Sequence, residues 1–187
     1  MQLDLVLRDI LEALIVVDSS RQPFKAFQPG VGPYGEPQLL KLIADHLNQL
    51  PHYANRVVTR RAPDLLIPGE WALEFKITRP FGDNGNEAED WSFNLTHPYP
   101  GNVSSIGDCF KLLERDEDER RGIVVIGYEH CPAKIDLTPL IESFEAIALS
   151  VARISLSTRV EYRHELLVHP VRQVVRLFAW EVLGRAA

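Results

Sequence analysis

The stretch PDLLIPGEWALEFKITRP, Pro63 to Pro80, constrains what this chain can fold into more than any other. Two short apolar runs stand on either side of Pro68-Gly69, a turn signal, so they read as consecutive strands. Both runs carry charge. Asp64 opens the first, while Glu74 and Lys76 interrupt the second. A charge in a strand that otherwise packs as core is costly unless it is paired or holds a metal. The residues that define the strand pair therefore also demand a use for three ionic groups.

Residues two apart in a strand share a face, so Glu74 and Lys76 project together while Leu73, Phe75 and Ile77 project the other way into apolar packing. A carboxylate on the neighbouring strand would complete a hard-cation site, because Mg²⁺ is held by one or two carboxylates together with waters and phosphate oxygens. Whether Asp64 is that carboxylate depends on the turn. A two-residue turn at Pro68-Gly69 pairs Asp64 with Leu73 and points it away from Glu74. One more loop residue, or a bulge, sets Asp64 opposite Glu74. Pro-Gly suits a type II turn, which splays hairpin strands and favours the longer loop. The alternative is that Glu74 and Lys76 form a pair on an exposed sheet face.

Apolar positions at Leu3, Val6, Leu7, Ile10, Leu11, Leu14 and Ile15 predict a helix over 3–17. Leu39, Leu40, Ile43, Leu47 and Leu50 predict another over roughly 36–49, with Pro37 in its first turn. A Pro- and Gly-rich loop separates them, and NRVVTRR reads as a strand ahead of PDLLI. From Thr78 to about Val103 the chain is polar and too long for an idle connection; within it, FGDNGNEAED lacks calcium-loop spacing and reads as a mobile loop. SSIGDCFKLLE is a helix capped by Ser104 or Ser105, the run Glu114 to Arg121 is a solvated helix end, and GIVVIGYE is a buried central strand. Asp136 or Thr138 caps a helix over LIESFEAIALSVA. RVEYRHELLVHP alternates weakly, and VVRLFAWEVL fits helix or strand, its Val, Phe and Trp favouring strand. No repeat or linker divides the chain, so the expectation is a single α/β or α+β domain over 1–187, a sheet flanked by helices.

A net charge of -6 argues against a protein that grips nucleic acid by bulk electrostatics. It leaves room for an enzyme that acts on nucleic acid through divalent cations and local arginines. Asp4, Arg8, Asp9 and Glu12 break any signal-peptide core, and no apolar run approaches the roughly 20 residues of a membrane span, so a cytoplasmic protein is expected. Cys109 and Cys131 read as core thiols. His97, His130, His164 and His169 lack ligand spacing and read as satisfied loop or core histidines.

Pro63-Asp64, nine residues, then Glu74-Phe75-Lys76 resembles the signature of the PD-(D/E)XK nuclease superfamily, the restriction-endonuclease-like fold. A helix bearing Glu36 precedes the strands, and a helix and a buried strand follow them. This is similar to the family's αβββαβ core over about 34–128, with 129–187 a C-terminal extension of the same domain. The resemblance implies a central mixed β-sheet flanked by helices. It implies that Asp64 and Glu74, helped by the Phe75 carbonyl, bind one or two Mg²⁺ ions, with Mn²⁺ a substitute and Glu36 an accessory acid. Lys76 would orient or activate the attacking water and offset charge in the transition state. Arg60, Arg61 and Arg79 flank the site where phosphate contacts belong, although they read equally as a solvated strand end; Lys111 sits near the substrate position. The implied activity is a Mg²⁺-dependent endonuclease hydrolysing phosphodiester bonds in double-stranded DNA, in restriction, repair, phage or mobile-element settings. Cutting both strands needs two sites, hence a homodimer or a larger complex. From another class comes a catalytically inactive nuclease-fold subunit that binds nucleic acid or serves in assembly.

Overall fold

The N-terminal apolar stripe forms α1 (Leu3–Ser19) in the computed structural model, which describes residues 1–99, 101, 103–115 and 118–186. Next comes α2 (Glu36–Leu47), with a proline in its first turn. The period then changes as expected to β1 (Val58–Thr59), β2 (Leu65–Ile67) and β3 (Trp71–Thr78). A short helix, α3 (Phe93–Thr96), and α4 (Ser105–Leu113) cross over to β4 (Arg120–Glu129). After α5 (Thr138–Ser150) the chain closes with β5 (Ile154–Leu156), β6 (Val160–His164) and β7 (Val174–Arg185). Among the described residues this is a mixed α/β protein with a seven-stranded sheet and five helices.

The sheet order is β1-β2-β3-β4-β7-β5, with β6 also on β7. Only β3 and β4 run parallel, as the α3–α4 crossover between them requires. Helices α1 and α2 cover one face, where Leu7, Ile10, Leu39 and Ile43 meet Leu73, Phe75, Val124 and Ile126. On the other face α4 and α5 supply Ile106, Phe110 and Phe144 against Ala72, Val125, Phe178 and Trp180. β3 is thus buried on both sides, and Glu74 and Lys76 are only 4% and 9% exposed. They do not lie on an exposed sheet face.

The C-terminal third completes the sheet. VVRLFAWEVL is strand, paired along β4 from Gly122↔Glu181 to Glu129↔Val174. Gly127 lies in this ladder, where an added Cβ would run into Leu137 Cδ1. Gly127→Ala is therefore expected to cost about 1–3 kcal/mol, read as a lowered Tm.

Three expectations need correction. Cys109 is buried, but Cys131 is exposed rather than a core thiol. The run Glu114 to Arg121 is a helix end only at its start: Glu114 caps α4, residues 116 and 117 lie outside those described, and Arg120 begins β4 and pairs with Glu181 at 2.8 Å. FGDNGNEAED is pinned, because Asp83 accepts hydrogen bonds from His169 and Arg172. No described helix is long and apolar enough to cross a membrane.

Candidate active site

The turn decides the register. Glu70 N–H donates to the Ile67 carbonyl at 2.9 Å, and Gly69 takes φ +75° at the third position, which a type II turn reserves for glycine. Pro68, Gly69 and Glu70 all fall in the loop, so the pairs are Ile67↔Trp71, Leu66↔Ala72 and Leu65↔Leu73. One step further along that register sets Asp64 across from Glu74, on the same face. Asp64 Oδ2 accepts a hydrogen bond from the Phe75 N–H at 2.8 Å, so its carboxylate takes over the edge of β3 where β2 ends.

Around that edge the charges converge. Glu74 Oε1 is buried with no hydrogen-bond partner. Burial, then the neighbouring Asp64 carboxylate, pushes the Glu74 pKa up to about 9. Lys76 Nζ lies 2.9 Å from Asp108 Oδ2, and the other oxygen of Asp108 lies 2.6 Å from Lys111 Nζ. Burial works against the Lys76 charge, yet Asp108, Glu36 and Asp64 hold its pKa above the ordinary lysine range. Glu36, in the first turn of α2, is raised by burial and by Asp64 and Asp108, while Lys76 and the Ile77 N–H oppose the shift. Four carboxylates thus face two ammonium groups, an excess of negative charge that a proton on Glu74 or a divalent cation would relieve.

The donor set fits a hard cation. Asp64 and Glu74 offer carboxylate oxygens, one of them the unpartnered Glu74 Oε1. In a strand, the carbonyl of a residue leaves by the same edge as its N–H, which puts the Phe75 carbonyl on the Asp64 side. Among the described residues no group of three or more Asp, Glu, His or Cys side chains is placed to hold a metal on its own. Mg²⁺ tolerates that, since it keeps several waters and takes only one or two carboxylates, whereas zinc wants a nearly complete protein shell. Glu36 contributes through the field rather than through a position in a closed cage.

Glu36 lines two adjoining depressions that open the cluster to solvent. One, of about 350 Å³, includes Arg60, Arg61 and Asp64; the other, of about 250 Å³, includes Lys76, Arg79, Asn94 and Val103. Arg60 and Arg61 are exposed on the rim, free to meet a phosphate. Arg79 is committed elsewhere. It donates to the Tyr34 carbonyl and stacks 5.5 Å from the Tyr128 ring centre, and burial lowers its pKa. Lys111 is half exposed and paired to Asp108.

Asp108 is the site residue that sequence reasoning passed over. Its signal was present: it is the lone charge inside the apolar run SIGDCF, whose side chains are buried on α4. The logic that singled out Glu74 applies to it unchanged. No family model, curated protein or solved structure matches this chain. Function has to be argued from these residues and their geometry.

Proposed function

We propose that this protein is a metal-dependent endonuclease of the PD-(D/E)XK kind, with a restriction-endonuclease-like core, hydrolysing phosphodiester bonds in DNA. The observation that carries the reading is the three-residue loop 68–70, which brings Asp64 and Glu74, with its unpartnered Oε1, onto one face, with Lys76 two residues further along. Asp64, Glu74 and the Phe75 carbonyl would hold Mg²⁺ or Mn²⁺, which when bound lowers the pKa of its water and polarises the scissile phosphate. The chain does the rest. Glu36 and Asp108 keep Lys76 charged, and its ammonium sits where negative charge grows on the phosphate oxygens as the P–O bond to the leaving group breaks. Arg60 and Arg61 grip neighbouring phosphates, fixing the strand against the site. A cut through both strands takes two such sites, supplied by a homodimer or a larger complex.

The test uses supercoiled plasmid and circular single-stranded DNA, each with Mg²⁺ or Mn²⁺. Wild type is expected to nick. Lys76→Ala should lose about 10²–10³-fold in rate, the size of effect expected when a transition-state charge partner is removed, and Asp64→Ala at least as much. If wild type is inert with both metals, or the variants cut as fast as wild type, the enzymatic reading is lost and a non-cleaving nucleic-acid-binding or assembly subunit takes its place.

A further inference from the structure

Beside the candidate site, α3 and the residues 97–99 that follow it present aromatic rings to solvent. Phe93 is 53% exposed and Tyr99 68% exposed. They form a row through His97, with ring centres 4.8 Å apart from Phe93 to His97 and 5.6 Å from His97 to Tyr99, each contact edge-to-face. The stretch bearing Phe93 and His97 is anchored on either side, and Tyr99 follows the second anchor. Thr78 Oγ1 donates to the Trp91 carbonyl at 3.3 Å, and Ser104 Oγ donates to the His97 carbonyl at 2.9 Å while capping α4 through the Gly107 N–H. It therefore hangs between β3 and α4, the two elements that carry Lys76 and Asp108. Asn94, next to Phe93, lines the same depression as Lys76 and Glu36.

Magnitudes choose between the nucleic acids such a surface could take. Non-specific binding of a duplex is supplied almost entirely by Lys and Arg that neutralise its phosphates. This chain carries a net charge of -6, and of the cations near the groove Arg79 and Lys111 are already committed, leaving Arg60 and Arg61. Stacking needs no net charge: an aromatic ring under an unpaired base contributes about 1–3 kcal/mol. Exposed rings fixed next to an acidic site grip what a duplex hides.

We infer that the strand entering this site is unpaired, and that Phe93 and Tyr99 are the platform on which its bases stack beside the scissile phosphate. The inference rests on reading the acidic cluster as a phosphodiester-cleaving site. It narrows the substrate from paired DNA to single-stranded nucleic acid or a single-stranded stretch within a larger molecule.

The experiment is fluorescence anisotropy in Ca²⁺ with a labelled oligonucleotide of about 15 nucleotides, offered single-stranded, as a duplex, and as the same sequence in RNA. Wild type should bind the single strand at least about 10-fold tighter than the duplex. Phe93→Ala/Tyr99→Ala should weaken single-strand binding by about 30-fold or more and leave duplex binding unchanged. Tyr99→Phe, which keeps the ring, should bind as wild type. Comparable DNA and RNA affinities support stacking on bases, and a preference for either supports it too while identifying the polymer. Duplex binding as tight as single-strand binding overturns the inference, as does full affinity in the double alanine variant, the outcome expected of rings that dock a protein instead. Binding needs no turnover, so the nuclease reading fails separately: a wild type that binds the single strand through its rings in Ca²⁺ but nicks no DNA in Mg²⁺ or Mn²⁺ loses the nuclease reading and keeps the platform.

Discussion

Replacing Glu74 by glutamine is expected to make the metal-free protein more stable above about pH 5 and to remove its response to Mg²⁺. The buried Glu74 carboxyl has its pKa pushed up to about 9 from an ordinary 4.5, by burial first and by Asp64 second. The folded protein therefore holds a proton through a range in which the unfolded chain has already released it. The stability tied to that proton is complete below about 4.5 and declines as pH rises through about 9. Glutamine has the same shape and no proton to lose. In EDTA the Tm of wild type should fall between pH 6 and pH 9 by more than that of Glu74→Gln. The gap should reach about 1–3 kcal/mol, after allowing for the partly open groove, or roughly 2–10 °C for a chain this size. Mg²⁺ displaces the proton from wild type and should raise its Tm at pH 8 by mass action, while the glutamine variant gains little. The variant should also fail to nick DNA. Equal pH slopes for the two proteins, or equal stabilisation by Mg²⁺, would falsify the assignment of Glu74 as the strained ligand.

Buried like charges of this kind lower stability, and only part of the cluster is written locally. Asp64, Glu74 and Lys76 were legible because a strand's period of two and a turn's residue preferences are short-range. The register was open between two turn lengths, and the three-residue loop decides it. Helix phase placed α1 and α2, and a serine cap placed α4. What escaped was non-local. Asp108 stands out locally as a charge in an apolar run, but its partner does not: only the crossover from β3, which lays α4 against the sheet, brings its carboxylate to Lys76. Arg79 looked like a phosphate ligand because nothing nearby in sequence reveals that the Tyr34 carbonyl takes its guanidinium. The apolar run of β7 carries no period of its own, and its pairing with β4 is what declares it a strand.

Asp83 shows the same thing in a loop, and its removal is the second large effect expected. Its Oδ1 accepts hydrogen bonds from Arg172 at 2.7 Å and from His169 Nε2 at 3.0 Å. His169 is fully buried, and its Nδ1 accepts from the N–H groups of Val171 and Arg172, so the ring's proton lies on Nε2, facing Asp83. Burial and the adjacent Arg172 keep this histidine's pKa low, which makes the contact a neutral donor to a carboxylate rather than a switch. Together with the Arg172 bond to the Phe81 carbonyl, these contacts tie the 81–88 segment to the chain just before β7. Asp83→Ala leaves the Arg172 guanidinium buried without its charge partner and should cost about 3 kcal/mol, the lower end of the range for broken buried pairs because Asp83 is partly exposed. Asp83→Asn keeps an acceptor and should cost less. Asp83→Ala/Arg172→Met, which removes both charges, should recover part of the loss in a double-mutant cycle. Thermal melts measure the series, and limited proteolysis should cut Asp83→Ala within 81–88 while sparing wild type. An alanine variant that melts with wild type would mean that Arg172 finds another partner, and that the segment is held by its packing instead of its charge.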